Sequence, residues 1–301
     1  MPTDPRDGVF AVPAGAPADR LDRSLRALRP GLSWSQLRDL IVRGKVSVDQ
    51  RVVLDPGAMV QSGMRIAITM HVHGATLAAP VPQLPRADLI HCDGHVVVVR
   101  KPAGLDTVPW GDATDALERR VAVTLGAPVR VVQRLDRDTT GLIMFARTAE
   151  AEGRLAHQLR RHTVHRRYLA VAHGEVAAGT IRSFLADDRG DGLRGSVASV
   201  QFGKQAITHV EVVERLRGAT LVACRLETGR KHQIRIHLAE GGHMLLGERG
   251  YVREQRGEVL AAPRILLHAA ELGFEHPDTG APLRFSEPMP ADMAVVVASL
   301  R

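Results

Sequence analysis

The stretch Gln133-Arg134-Leu135-Asp136-Arg137-Asp138-Thr139-Thr140-Gly141-Leu142-Ile143-Met144-Phe145-Ala146 decides how the chain is read. Its first half is charged and rich in turn formers, and beyond Gly141 it becomes a run of large apolar side chains. An apolar run bounded by a glycine predicts a buried strand. Asp136 is thereby placed on a loop carried by a rigid sheet, where catalytic groups commonly lie. A capped turn without chemistry would give the same pattern, so the segment alone makes Asp136 a candidate.

Working outward, Val96–Val99, Tyr168–Val171 and Thr220–Leu226 read as further strands alternating with helical patterns. Residues 89–301 are therefore expected to form one mixed α/β domain. Pro80, Pro82 and Pro85 mark 71–88 as an extended linker. Nearer the N-terminus, Leu21, Leu25 and Leu28 recur at helical spacing and stop at Pro30. Ser33 and Ser35 offer cap hydroxyls for a second helix carrying Leu37, Leu40 and Ile41 and ending at Gly44. Segments 45–48, 51–54 and 64–68 read as short strands. Residues 20–70 are thus predicted to be a compact module of two helices and a small sheet, and the Pro-rich residues 1–19 a flexible tail.

Composition narrows the function classes. In 301 residues the 45% hydrophobic content is enough for a sizeable core, which excludes global disorder. The net charge of +7 favours a polyanionic partner such as nucleic acid. An Arg- and Ala-heavy composition with only four lysines yields the same charge without one. Cys92 and Cys224 are too few for a disulfide framework, which points to a reducing cytosol. No signal-peptide pattern opens the sequence, and no stretch approaches the roughly 18 apolar residues of a membrane span. A cytoplasmic protein is expected, with no membrane partner. His71-x-His73 and His91-Cys92-x-x-His95 have ligand-like spacing, but no Cys/His set completes a tetrahedral site, so no metal is expected. Without a Walker or Rossmann glycine pattern, no nucleotide cofactor is expected either.

Four segments in fixed order carry a resemblance. Gln133 to Leu142 resembles the His-Arg-Leu-Asp-x-x-Thr-Ser/Thr-Gly-Leu signature of the RluA-type pseudouridine synthases, with Gln133 in place of histidine. Arg100-Lys101-Pro102-Ala103-Gly104 is similar to that family's Asn-Lys-Pro-Ala-Gly turn, and Arg166-Arg167-Tyr168-Leu169-Ala170 to its Lys-x-Tyr-x-Ala strand. Thr228-Gly229-Arg230-Lys231-His232-Gln233-Ile234-Arg235-Ile236-His237 resembles its Thr-Gly-Arg-x-His-Gln-Ile/Leu-Arg-x-His stretch. The family's later Gly-Asp is Gly247-Glu248 here, ahead of Tyr251. Residues 20–22, 33–37 and 41–48 resemble the αL RNA-binding module first seen in a small-subunit ribosomal protein.

The resemblance implies a pseudouridine synthase fold with a mixed, mainly antiparallel central sheet, preceded by the small αL RNA-binding module. It implies an isomerase that turns uridine in structured RNA into pseudouridine without a cofactor. Ribosomal RNA of the large subunit is favoured over transfer RNA, and a monomer is the default. Asp136 becomes the catalytic carboxylate, Tyr168 the residue against the target base, and Arg230 the basic partner of Asp136. RNA contacts are expected from Arg38, Arg43, Lys45 and Arg51 in the module. In the larger domain they are expected from Arg134, Lys231, Gln233 and Arg235. Two rivals remain at this point. One is a non-catalytic RNA-binding or assembly protein on the same fold, for which loss of Asp136, Tyr168 or Arg230 would be the mark. The other is a nucleoside-cleaving hydrolase, which would need an acid/base pair across a sugar pocket.

Overall fold

The computed structural model describes residues 8–42, 44–69, 81–109, 115–190, 192–255 and 257–301. The chain divides at Pro80/Val81 into two compact units, apart from the short segment 109–114. In chain order the first unit contains β1 (Gly8–Ala11), β2 (Asp19–Arg20), α1 (Leu21–Leu28), α2 (Trp34–Val42), β3 (Val46–Val48), β4 (Arg51–Val52), β5 (Met59–Val60) and β6 (Arg65–Ile68). Leu21, Leu25, Leu37, Leu40 and Ile41 on the helices close over Val46, Val60, Ile66 and Ile68. A reciprocal cap starts α2: the Ser33 hydroxyl accepts the Gln36 N–H while the Gln36 side chain accepts the Ser33 N–H. Asp22, fully buried, takes donors from Arg20 and Arg38 and ties α1 to α2.

The tail is shorter than the sequence suggested. Residues 8–11 form β1, paired antiparallel with β6 from Gly8 opposite Ile68 to Ala11 opposite Arg65, and Val12 is buried behind them. The Gly-Val-Phe-Ala stretch supplies good strand formers, but its partner lies over 50 residues away, a pairing that local pattern does not reveal. The linker is also shorter. Leu84 is buried in the core of the second unit and Arg86–Asp88 is a 3-10 turn there, while 70–80 lies outside the described residues.

The second unit comprises β7 (Leu89–Cys92), β8 (Val96–Lys101), α3 (Leu117–Leu125), β9 (Arg130–Val131), β10 (Thr140–Ala146), α4 (Ala149–Arg160), β11 (His165–His173) and β12 (Gly179–Ala186). It continues with β13 (Gly195–Val197), β14 (Lys204–Leu216), β15 (Ala219–Leu226), α5 (Gln233–Glu240), β16 (Leu267–Glu275), β17 (Pro282–Ser286) and α6 (Ala291–Ser299). Among the described residues these make an 11-stranded sheet ordered β13-β12-β14-β15-β11-β16-β10-β8-β7, with β17 on β16 and β9 on β10. Only β10 and β16 run parallel; the other pairs are antiparallel, as expected of a mixed, mainly antiparallel sheet.

The central strands are apolar on both faces. In β8, Val97 and Val99 enter one core while Val96 and Val98 enter the other; in β10, Ile143 and Phe145 oppose Leu142 and Met144 in the same way. This two-residue period explains why both segments read as unbroken apolar runs. Helix α4 covers one face through Ala151 and Leu155. On the other face lie α3, through Leu117 and Val121, and α5, through Ile234 and Leu238. Tyr168 and Leu135 belong to this second face, which therefore carries the site.

Asp93 holds the β7–β8 turn. Its Oδ1 accepts the N–H groups of His95 and Val96, and its Oδ2 lies 2.7 Å from Nε2 of His91 and 3.1 Å from Nε2 of His276. Burial pushes the carboxyl up, but these donors outweigh it and hold the group far below the usual carboxylate range. Because its folded-state value is depressed, the stability it contributes is present above about pH 4 and is lost as pH falls towards that value. Asp93→Asn should therefore lower the melting temperature at pH 7, and the gap to wild type should narrow by pH 3. Parallel melts at both pH values check this; a gap that is constant or grows in acid would contradict it.

Candidate active site

The loop bearing Asp136 is fixed by buried polar side chains from distant parts of the chain. Thr107 donates its hydroxyl to the Leu135 carbonyl at 2.8 Å and accepts the Leu135 N–H at 3.0 Å. Lys101, fully buried at the end of β8, donates to the carbonyls of Pro102, Leu105 and Arg137. Arg264 donates to the Asp138 carbonyl at 3.1 Å while gripping Asp292 with two nitrogens. The Thr139 N–H donates to the carbonyl of Asp136 and closes the turn. Burial pushes the Lys101 ammonium down to about 8, opposed by the carboxylates of Asp106, Asp138 and Asp136. A buried lysine at this position spends its three donors on the backbone that aims Asp136.

The Asp136 side chain itself remains 26% exposed. Its Oδ2 accepts from Arg235 Nη1 at 3.3 Å, and its Oδ1 stands 3.7 Å from Nε2 of His232. Arg235 is held in turn by Glu248, through Nε at 2.7 Å and Nη2 at 2.9 Å, and its guanidinium lies 5.2 Å over the Tyr251 ring. The Glu248 carboxylate is 0% exposed. Burial pushes its carboxyl up, but Arg235 together with the N–H groups of Gly250 and Tyr251 brings it below the usual value. A guanidinium stays protonated at any working pH, so Asp136 faces a permanent cation braced from behind by a second carboxylate.

Tyr168 lies on β11 between Cys224 of β15 and Ala269 of β16, at a bulge in the β11–β16 register. Burial raises its phenol above the usual value; the Arg166 guanidinium opposes this and the Asp136 carboxylate adds to it. The phenol therefore stays protonated and neutral, within reach of the Asp136 charge.

Several sequence expectations need correction. Arg230 is not the partner of Asp136: its Nε donates to the Gln205 carbonyl at 2.8 Å, and Arg235 occupies the expected place. The reason is local, because Arg230 precedes the turn at His232 whereas Arg235 lies within α5, one helical turn beyond it. Arg235 is accordingly committed to two carboxylates and is not a surface RNA contact. Gln233, 2% exposed, is not one either. It accepts from the Thr228 hydroxyl and the Arg230 N–H and donates to the Ile207 carbonyl and the Thr208 hydroxyl, so its amide welds α5 to β14. Arg38 is tied to buried Asp22 and stacks over Trp34. Lys45 is half-buried, Arg51, Arg134 and Lys231 are exposed, and Arg43 lies outside the described residues, as does the His71-x-His73 pair.

His232, Tyr251, Lys101, Thr107 and Arg264 went unassigned in the sequence. His232, Lys101 and Tyr251 carried a signal: each stands in or just after a quoted motif, and the structure half-buries His232 and buries the other two. Among the described residues no His/Cys/Asp/Glu group could hold a metal ion, and no helix is long and apolar enough to cross a membrane.

The Asp136 carboxylate thus meets a buried guanidinium on a loop of a mixed sheet, in a chain whose N-terminal part is a small unit of helices and strands. A family model described as RNA pseudouridylate synthase matches residues 95–240, and one described as S4 domain matches residues 19–66. The chain is 36% identical to "Ribosomal large subunit pseudouridine synthase D" of Xylella fastidiosa over 96% of this chain and 91% of the relative. It is likewise 36% identical to the protein of the same name from Zymomonas mobilis, with 93% of each chain covered. Among solved structures, human RNA pseudouridylate synthase domain containing 4 superposes with a TM-score of 0.59 at 21% identity, covering 71% of this chain and 93% of that one, and so shares the fold. The chain belongs to the RNA pseudouridine synthase family.

Proposed function

We propose that this enzyme isomerises specific uridines of large-subunit ribosomal RNA, in the cytoplasm, with Asp136 acting at the ribose. Support for the target comes from the names of its curated relatives, and support for the carboxylate from its grip by Arg235 and its partial exposure. The reaction breaks the bond between C1′ and N1 with its electron pair going to the uracil. It then joins C1′ to C5, releases the proton from C5 and leaves one on N1. No atom is gained and no redox change occurs. As in glycoside cleavage, an ionised carboxylate beside the electron-poor sugar carbon lowers the barrier. The target uridine must leave its stack, which costs a few kcal/mol. Tyr168 then packs against the base, and the closed site keeps water from capturing the sugar before uracil recombines.

Incubating the protein with bulk RNA from a strain lacking its gene, then mapping pseudouridines, tests the target. New sites are expected in large-subunit ribosomal RNA; new sites confined to transfer RNA would overturn it. The N-terminal module adds phosphate contacts, with exposed Arg51 among them. In the full chain, Arg51→Gln should flatten the salt dependence of binding by about 0.7–0.9 log units per log salt, the contribution of one neutralised phosphate. An unchanged slope would remove Arg51 from the RNA interface.

A further inference from the structure

His232 adopts a backbone that a histidine rarely takes. Its φ of 59° and ψ of 18° lie in the left-handed region, which costs a non-glycine residue of order 1 kcal/mol and persists where something else holds it. Here the strain points the imidazole at Asp136, with Nε2 3.7 Å from Oδ1. The other ring nitrogen is engaged: Nδ1 lies 2.6 Å from the Tyr251 hydroxyl, with the two rings edge to face at 5.6 Å. Tyr251 is itself placed by its N–H on Glu248 and by the guanidinium of Arg235 over its ring.

Two proton arrangements are open to this pair. If Nδ1 carried the hydrogen, Nε2 would turn a lone pair towards a carboxylate. If Tyr251 donates to Nδ1, the hydrogen sits on Nε2 and points at Oδ1. The negative charge of Asp136 selects the second, and a phenol is the right partner because its single hydrogen can be given to Nδ1. Burial pushes His232 down to about 4 against the pull of Asp136, so the ring is neutral and its one hydrogen is the one in question.

We propose that Tyr251 and His232 form a positioning relay, in which the Tyr251 hydroxyl fixes the imidazole tautomer and His232 Nε2–H holds Oδ1 of Asp136, leaving Arg235 to hold Oδ2. The 3.7 Å gap closes to a hydrogen bond when RNA fills the site, since contacts of this kind tighten in the substrate complex. With an oxygen each on His232 and Arg235, the carboxylate presents one fixed edge to the ribose. The relay rests on the reading of Asp136 as the acting carboxylate.

Single-turnover pseudouridine formation by the full chain, on ribosomal RNA from a strain lacking the gene, tests it. Filter binding and pH–rate profiles are measured alongside. His232→Ala should lose about 10- to 100-fold in rate, the worth of a hydrogen bond to a charged group, while RNA affinity stays within about twofold. His232→Gln, whose amide nitrogen can take the place of Nε2, should recover most of that loss. Tyr251→Phe keeps the ring under Arg235 but frees the tautomer. It should move the acid limb of the rate profile to higher pH, because a carboxylate deprived of a donor takes up a proton more readily. The other charged or titratable groups acting on Asp136 are Arg235 and Lys231 around α5, Lys101 of β8 and Tyr168 of β11, and all remain in these variants.

A wild-type rate and profile for His232→Ala would overturn the relay. So would His232→Gln as slow as His232→Ala with melting unchanged, or Tyr251→Phe slowed equally at every pH. Activity persisting in Asp136→Asn would instead sink the reading of Asp136; a dead Asp136→Asn beside a fully active His232→Ala would sink the relay alone.

Discussion

Asp136→Asn should abolish pseudouridine formation while leaving the protein folded and able to bind RNA. The amide is nearly the size of the carboxylate, and Arg235 keeps its two bonds to Glu248, so no buried cation is stranded. The amide has neither the negative charge that stabilises an electron-poor C1′ nor the nucleophilicity to trap it. A loss of about 4 kcal/mol of transition-state stabilisation corresponds to roughly a thousandfold, and a thousandfold fall in single-turnover rate is the smallest effect compatible with a direct role. Circular dichroism and filter binding should match wild type. A fall of tenfold or less would reduce Asp136 to a structural part of its loop.

The second large effect concerns the strand behind that loop. Gly141 has φ of +109°, and a Cβ built there would come within 2.3 Å of the Ala269 carbonyl oxygen and 2.7 Å of its nitrogen. Both neighbours are backbone atoms of β16, where it pairs parallel with β10, so they cannot yield as a side chain would. Gly141→Ala should cost about 4 kcal/mol or more, through backbone strain and a steric clash together. Gly153 gives the contrast: it lies within α4 with nothing near its missing Cβ, so Gly153→Ala should stabilise by about 0.5–1 kcal/mol. Urea denaturation of both variants checks the pair. Equal effects at the two positions would mean that the close approach of β10 to β16 is not what requires a glycine at 141.

Gly141 also shows what the sequence could tell. Its place between a charged turn and an apolar run marked the start of β10, and the runs at 96–99 and 142–145 were legible because strands buried on both faces leave no polar interruption. The two helices of the N-terminal unit were legible for the complementary reason: their leucines recur on one face and Ser33 caps the second. What was hidden depended on where α5 begins. Arg230, Gln233 and Arg235 belong to one motif of similar polar residues, and sequence alone gives no reason to bury one, brace another and leave the third at a strand end. Once His232 is seen in a left-handed turn with α5 starting at Gln233, positions 232 and 235 stand one turn apart and both meet Asp136, while Arg230 falls away towards β14. The grip of Lys101, Thr107 and Arg264 on the loop was hidden for a different reason. Each bonds to backbone atoms 28 to 126 residues away, and such bonds leave no mark on local spacing.

The most direct test is a product balance on RNA labelled with tritium at C5 of uridine. Moving the glycosidic bond to C5 expels that hydrogen, whereas hydrolysis would free intact labelled uracil. With the wild-type enzyme we expect tritium in water in one-to-one proportion to new pseudouridine, no free uracil, and neither product from Asp136→Asn. Free labelled uracil from the wild type, or tritium release undiminished in Asp136→Asn, would contradict isomerisation through Asp136.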